Sequence, residues 1–165
     1  MLHRTLMLRR SFMTAIAATP LLHACAPGAT NTTDPMAPLP PDPHSYAKPN
    51  EARVKHVAID LTADFARKVL HGAATLDIAT KDDARQIVLD VDGLAIRAIS
   101  GGGHPLTYTI GERREGFGAP LAIDLNGARK IVIAYETSPD AGALQWLTPA
   151  QTASGKQFFY SQGEP

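Results

Sequence analysis

Apolar and polar residues alternate with a period of two from Glu51 onward, and this alternation constrains the fold most. One run has the apolar members Val57, Ile59, Leu61, Ala63 and Phe65, with mostly polar residues between them. A second run repeats the pattern with Leu70, Gly72, Ala74, Leu76 and Ile78. Successive side chains of a strand point to opposite faces, so both runs predict half-buried antiparallel strands. Only a few residues around Arg67-Lys68 separate the runs, which favours a hairpin.

Further short apolar runs follow, and turn signals divide them. The strand-like segments are 87–91, 94–99, 121–125 and 131–135, and 141–147 is expected to form one helical turn at most. Asp92-Gly93 and Asn126-Gly127 supply the positive φ that tight turns require, and Gly101-Gly102-Gly103 predicts another turn. About seven to nine short strands predict an all-β fold, an antiparallel β-sandwich or saddle-like sheet. The predicted domain covers residues 51–165, long enough for one hydrophobic core.

Net charge and the N-terminal residues limit which partners and which cellular location we expect for this domain. The chain has 16 Lys plus Arg and 16 Asp plus Glu, so no basic field predicts nucleic acid as a partner. Residues 1–24 have the layout of a signal peptide, with Arg4, Arg9 and Arg10 before the uncharged stretch 12–22. The pair Arg9-Arg10 also fits a twin-arginine export motif, so the general secretory and twin-arginine routes both stay open.

The only cysteine, Cys25, ends the predicted leader. The stretch Leu22-His23-Ala24-Cys25 resembles a bacterial lipobox, which predicts lipidation of Cys25 and an anchor on the periplasmic side of a bacterial membrane. The alternative is a buried, small apolar cysteine. Residues 25–50 hold seven of the chain's 13 prolines and predict a semi-extended linker between this cysteine and the β domain.

The last part of the chain carries a family resemblance. The residues Gln145-Trp146-Leu147-Thr148-Pro149, Gln151-Thr152, Gly155-Lys156 and Ser161-Gln162 stand in a specific order and spacing. Together they resemble the end of the N-terminal domain of zinc aminopeptidases, in the leukotriene hydrolase branch of the aminopeptidase N family. A weaker match, Asp42-Pro43-His44-Ser45-Tyr46-Ala47, resembles the start of that domain. The resemblance implies a curved, mostly antiparallel β structure that precedes a catalytic domain.

The sequence itself contains no recognisable catalytic or metal site. The family's zinc site needs H-E-x-x-H on a helix, but none of the six histidines is followed by glutamate. A hairpin of suitable register would bring His56 and His71 face to face, although two solvated strand histidines are the better interpretation. No G-x-S-x-G occurs either. We therefore predict no catalytic residue, no metal ligand and no cofactor in this chain, with zinc supplied by the catalytic domain of the full-length family.

The resemblance implies one substrate-binding segment, Gln162-Gly163-Glu164. In the family, the first domain donates such a segment to the substrate cleft, where the position of Glu164 helps to hold the N-terminal amine of a peptide. An ionised carboxylate facing an ammonium group makes a charge-assisted hydrogen bond, and Gly163 lets the backbone approach a ligand closely. Gln162 is expected to assist by hydrogen bonding. The alternative is that a glutamate so near a chain end is simply solvated.

Two functional interpretations stay open. The first is a substrate-recognition or structural domain of a zinc aminopeptidase, in a truncated or split copy that is inactive without its catalytic domain. It predicts that Trp146, Phe158, Phe159 and Tyr160 cluster on a surface that the missing domain covers. The second is a free-standing β-sandwich lipoprotein that acts as a binding or scaffold module. A stop in mid-strand at Gly163-Glu164-Pro165 favours the first.

Overall fold

The alternating runs form strands, as predicted. The computed structural model describes residues 34–161, and these contain ten strands and one short 3-10 turn at Pro149–Gln151. Within this range, no helix has the length and apolar character needed to cross a bilayer. The strands are β1 (Ala52–Asp64), β2 (Val69–Thr80), β3 (Gln86–Val91), β4 (Leu94–Gly101), β5 (His104–Pro105), β6 (Tyr108–Ile110), β7 (Ala119–Asp124), β8 (Lys130–Thr137), β9 (Leu144–Leu147) and β10 (Phe158–Ser161).

The predicted hairpin between the first two runs is confirmed. Strands β1 and β2 pair antiparallel along their whole length, from Ala52 opposite Thr80 to Asp64 opposite Val69. The turn between them places Lys68 at a positive φ of 54°, and the Asp64 carboxylate accepts a hydrogen bond from the Arg67 backbone at 2.9 Å. A short polar side chain therefore closes the turn that sequence spacing predicted.

Two antiparallel sheets form the domain. One has five strands in the order β1-β2-β8-β4-β5, and the other has three in the order β3-β7-β6. The Asp92-Gly93 and Asn126-Gly127 turns carry the chain from the small sheet to the large one, between β3 and β4 and between β7 and β8. Positive φ values at Gly93 and Asn126 allow these reversals.

The core lies between the two sheets. Ile123 of β7 and Ile131 of β8 are fully buried, and they represent the inner faces of the small and large sheets. The other large side chains with almost no exposure come from both sheets and the adjoining turn, namely Ile78, Ile87, Leu121 and Leu125. An all-β antiparallel architecture with one core is therefore confirmed.

The predicted elements differ from the structure in detail. Residues 141–147, where one helical turn at most was expected, hold a hydrogen-bonded turn from Ala141 to Leu144 and then the strand β9, which pairs with β10. The strand count is also higher than predicted, because very short strands such as His104–Pro105 depend on pairing rather than on their own pattern.

The first strand also departs from the predicted half-burial. Val57 and Ile59 lie on its inner face, opposite Leu76 and Ala74 of β2, yet they are 47% and 63% exposed. Burial of a strand face requires a second layer opposite it, and the three-stranded sheet does not cover this part of β1. Alternation alone predicts on which face of the strand a side chain lies, but not whether another layer covers that face.

The second half of the predicted linker is hydrogen-bonded to the β domain. Asn50 exchanges two hydrogen bonds with the Leu39 backbone, at 2.8 and 2.9 Å, and Arg53 donates to the Ala37 carbonyl at 2.6 Å. The composition of 25–50 predicts extension but does not reveal these acceptors. Cys25 and the leader 1–24 lie outside the described residues.

Candidate functional site

A two-stranded ribbon, β9 with β10, carries the motif that points to the aminopeptidase family. Its antiparallel register sets Phe158 opposite Leu147, Phe159 opposite Trp146 and Ser161 opposite Leu144. This ribbon leads directly into the Gln162-Gly163-Glu164 segment. Those three residues lie outside the described range, so their predicted role stays a prediction.

The polar residues of the motif close the ribbon. The Gln151 side chain accepts hydrogen bonds from the Thr148 backbone at 2.9 Å and from its hydroxyl at 3.0 Å, while the Gln151 backbone donates to the Thr148 carbonyl. The Thr152 hydroxyl donates to the Lys156 carbonyl at 2.7 Å. These bonds wind the chain once after β9 and return it to β10. The loop forms these bonds because the motif residues have this spacing in the sequence.

Three aromatic rings hold the ribbon against the end of the first hairpin. The Trp146 ring centroid lies 5.4 Å from Phe65, edge to face, and 5.3 Å from Phe159. Phe65 also lies 6.2 Å from Phe159. Such pairs add about 0.5–1.5 kcal/mol beyond area burial, so this aromatic cluster positions the ribbon. The contacts with Phe65 and Phe159 thus account for the position of Trp146.

The aromatic side chains of β10 remain partly exposed to solvent. Phe158 and Tyr160 are each 48% exposed, and Phe159 is 36% exposed. The predicted gathering of aromatic residues near the C-terminal end is therefore present, and part of it faces outward. Exposed large aromatic side chains on three consecutive residues are typical of an interaction surface, whereas single exposed apolar residues are not.

A second polar site, which the sequence analysis missed, fixes the start of the domain. The Ser45 hydroxyl donates to one oxygen of the Asp90 carboxylate at 2.5 Å, and the Tyr46 backbone donates to the other at 2.8 Å. Asp42 accepts from the His44 backbone at 2.8 Å. The weak Asp42-to-Ala47 match thus has a structural role. An aspartate within β3, one residue before its end, was the available signal, because aspartate is depleted in strands.

The loop of residues 111–118 is tied to its surroundings by two arginines. Arg113 makes two hydrogen bonds to Asp92, the shorter at 2.8 Å. The Arg114 guanidinium lies 4.8 Å from the Phe117 ring centroid, a cation–π distance. Each of these arginines therefore has its own contact within the loop or the adjacent turn.

A charge network lies on the outer face of the five-stranded sheet. Glu136 of β8 accepts from Arg67 at 2.6 Å and lies 3.4 Å from Arg97. The hydrogen bond from Arg67 lowers the pKa of Glu136 below its ordinary value, and the same bond raises the pKa of Arg67. A similar bond from Lys130 lowers the pKa of Asp77. All these groups have an opposite charge nearby, as in a structural network.

Metal-ligating geometry does not occur within residues 34–161, where no three His, Cys, Asp or Glu side chains come together. His56 lies opposite Asp77 and His71 lies opposite Thr62, so the hairpin does not bring these histidines face to face. A depression of about 510 Å³ is lined by carboxylates of Glu51, Asp83 and Asp124 together with Arg85. Its charges are mixed and it is open, so it indicates no particular ligand.

Comparison with known proteins assigns this domain. A leucine aminopeptidase 2 from Yarrowia lipolytica is 36% identical over 126 residues, which cover 73% of this chain and 20% of that protein. A leukotriene A-4 hydrolase homolog from Botryotinia fuckeliana is 35% identical over 131 residues, with 74% and 20% covered. The chain carries an N-terminal domain of the leukotriene A4 hydrolase/aminopeptidase family. No protein-family model matches the chain.

Solved structures of the family agree in fold. The yeast leukotriene A4 hydrolase in complex with bestatin has a TM-score of 0.69 at 24% identity, over 74% of this chain and 20% of that one. The native enzyme from Saccharomyces cerevisiae gives a TM-score of 0.67. This chain thus spans about a fifth of the length of the relatives it matches, in their N-terminal region. The aminopeptidase-type β domain described above corresponds to that region.

Proposed function

We propose that this aminopeptidase-type domain contributes amine recognition to an exported zinc aminopeptidase. The observation that carries the proposal is the β9–β10 ribbon, which its aromatic cluster and its motif hydrogen bonds hold in place up to Ser161. The next residues are Gln162, Gly163 and Glu164. A segment that continues a rigid ribbon is well suited to present a side chain to a cleft formed with another domain.

Glu164 is the residue that would read the substrate. Its carboxylate would accept hydrogen bonds from the ammonium group at a peptide N-terminus, a bond of about 1.5–3 kcal/mol when it is shielded from water. Gly163 would keep the backbone close to the ligand, and Gln162 would add a neutral hydrogen-bonding group. An amine whose charge is blocked by acetylation would lose this contact.

The catalytic metal would come from outside the described residues. Residues 34–161 do not fit zinc, since they bring no three ligating side chains together. The matched region is about a fifth of the Yarrowia lipolytica leucine aminopeptidase 2 and of the Botryotinia fuckeliana leukotriene A-4 hydrolase homolog. Any hydrolysis in the complete protein would therefore depend on ligands supplied by a catalytic domain, which is this domain's proposed partner.

The leader suggests where such an enzyme would work. Residues 1–24 would direct export, and a lipid on Cys25 would hold the protein on the periplasmic side of a bacterial membrane. Growth with labelled fatty acid should label the wild-type chain, and Cys25→Ser should abolish the label. A wild-type protein that stays unlabelled and soluble would contradict the anchor.

A chimera tests amine recognition. Residues 34–165 would replace the matching N-terminal region of the Yarrowia lipolytica relative, and hydrolysis of peptides with free and N-acetylated termini would be compared. We expect Glu164→Ala to lower kcat/KM for free peptides by about one to two powers of ten, if a bond of ~1.5–3 kcal/mol is lost. Glu112→Ala, in the exposed 111–118 loop, is the matched control and should change little. Equal losses for both kinds of peptide would show that Glu164 does not read the amine.

A further inference from the structure

Strand β1 has a free edge. It is the terminal strand of the five-stranded sheet, and β2 occupies one side of it from Ala52 to Asp64. Among residues 34–161, no other strand pairs with its second side. Ala52 and Val54 pack into the core, but every residue from Lys55 to Asp60 is exposed. A long exposed edge is a template for further strand pairing.

The exposed part of this edge is apolar on its inner face. Val57 and Ile59 are 47% and 63% exposed, and the remainder of that face on β2 and β8 is buried at Leu76 and Ile131. The apolar surface of Val57 and Ile59 therefore extends beyond the edge of the core, where the three-stranded sheet does not cover it. An added strand would extend this apolar row and pair the free backbone groups at the same time.

We infer that β1 pairs antiparallel with β1 of a second copy of this chain, about a twofold axis at Ala58. Ala52 and Asp64, the ends of the strand, are equally far from Ala58 in sequence, so this register centres the pairing on the strand. It sets Val57 of each copy opposite Ile59 of the other. By twofold symmetry, every favourable pair occurs twice.

Charge complementarity selects this register. On the outer face, Asp77 of β2 lies between His56 of β1 and Lys130 of β8, and its carboxylate is 2.8 Å from the Lys130 ammonium group. Charged and polar side chains therefore form a row across these three strands. In the proposed dimer, Asp60 of the second copy lies on the other side of His56 and continues that row. Within its own sheet Asp60 lies opposite Ala73, so its cross-strand position offers no competing charge.

Neighbouring registers fit less well. A shift of one pairing step in one direction sets Ile59 opposite Ile59 and keeps an apolar row, but it places Asp60 opposite Ala58 and loses both His–Asp pairs. The opposite shift sets Ile59 against Lys55. The ladder irregularity between Val54 and His56 lies outside the central segment 56–60, where the proposed pairs form.

Cysteine cross-linking tests the register in the full chain with Cys25→Ser. Residues directly opposite each other in an antiparallel pair have Cα atoms about 4.5–5.5 Å apart, within the range of a disulfide. Ala58→Cys should therefore give a disulfide-linked dimer under mild oxidation. Thr62→Cys, on the same face of the same strand, lies four residues from the twofold axis and should not, because the two copies of residue 62 are then far apart. No cross-link at 58, or equal cross-linking at both, would overturn the register.

Sedimentation of the same Cys25→Ser chain tests the association. Ile59→Lys should weaken the dimer by about tenfold or more, because two apolar pairs are lost, while Val132→Lys at another exposed apolar position should not. Asp60→Lys should also weaken it, and adding His56→Asp should restore it. Circular dichroism confirms folding of each variant. A chain that stays monomeric at all concentrations, or that binds only a strand of another protein, would overturn the proposal.

Discussion

The sandwich core and the β9–β10 ribbon use the same kind of strand but differ in what covers them. In the core, Ile123 and Ile131 are completely buried because two sheets face each other. In the ribbon, Phe158 and Tyr160 remain 48% exposed, while the Trp146 ring packs against Phe159. Burying one large apolar side chain contributes about 1.5–3 kcal/mol, so the core supplies most of the stability. The ribbon is left available for contact with another surface.

The largest expected effect is a loss of stability, caused by a substitution in the sandwich core. Ile123→Ala should lower the free energy of unfolding by about 2–5 kcal/mol, since a fully buried side chain is replaced by a cavity. Urea unfolding followed by circular dichroism measures this. Val132→Ala, at a position 37% exposed on the outer face of β8, is the control and should cost far less. Equal costs would mean that the two-sheet core does not dominate stability.

Gly72 tests the backbone of the first hairpin. Its φ is 152°, and a Cβ at this position would collide with the carbonyl oxygen of Asp60 on β1. Gly72→Ala should therefore destabilise the protein by about 1–3 kcal/mol, measured as a lower Tm and urea midpoint. Gly142→Ala is the matched control, because a Cβ there meets nothing within 4 Å. A Gly72→Ala variant as stable as the wild type would contradict this packing.

Phe159 tests the ribbon. Trp146 is the only tryptophan, so its fluorescence reports on the aromatic cluster. Phe159→Ala should shift the emission to longer wavelength and cost about 1 kcal/mol or less in global stability, because the ribbon is partly exposed. Phe158→Ala alters the other face of β10 and should leave the emission unchanged. A large loss of global stability would show that the ribbon is part of the core.

The smallest effect concerns pH. Because the pKa of Glu136 is lowered by its hydrogen bond from Arg67, its stabilising contribution is complete above its ordinary pKa and is lost as pH falls through the lowered value. Glu136→Gln should therefore reduce the slope of stability against pH in the acid range. Some slope should remain, because the pKa values of Asp77, Asp92 and Asp124 are lowered as well. Urea midpoints below and above about pH 4 provide the measurement.

The candidate site was predictable only in part. Motif spacing from Gln145 to Thr152 identified the family, and the structure explains that spacing through the Thr148–Gln151 hydrogen bonds. Asp90 was missed because its partners, Ser45 and Tyr46, are more than forty residues away in sequence. Predictions for Cys25 and Glu164 fall outside the described residues, and their tests are biochemical.

The sequence by itself determined the strands, the first hairpin and the family, because alternation and turn chemistry act over a few residues. Only the tertiary structure decided which apolar faces are covered. Val57 and Leu76 follow the same alternation and lie opposite each other, yet one is 47% exposed and the other is 5% exposed. The difference arises because burial depends on whether a second sheet reaches that point, and a local pattern contains no information about the width of the opposing layer.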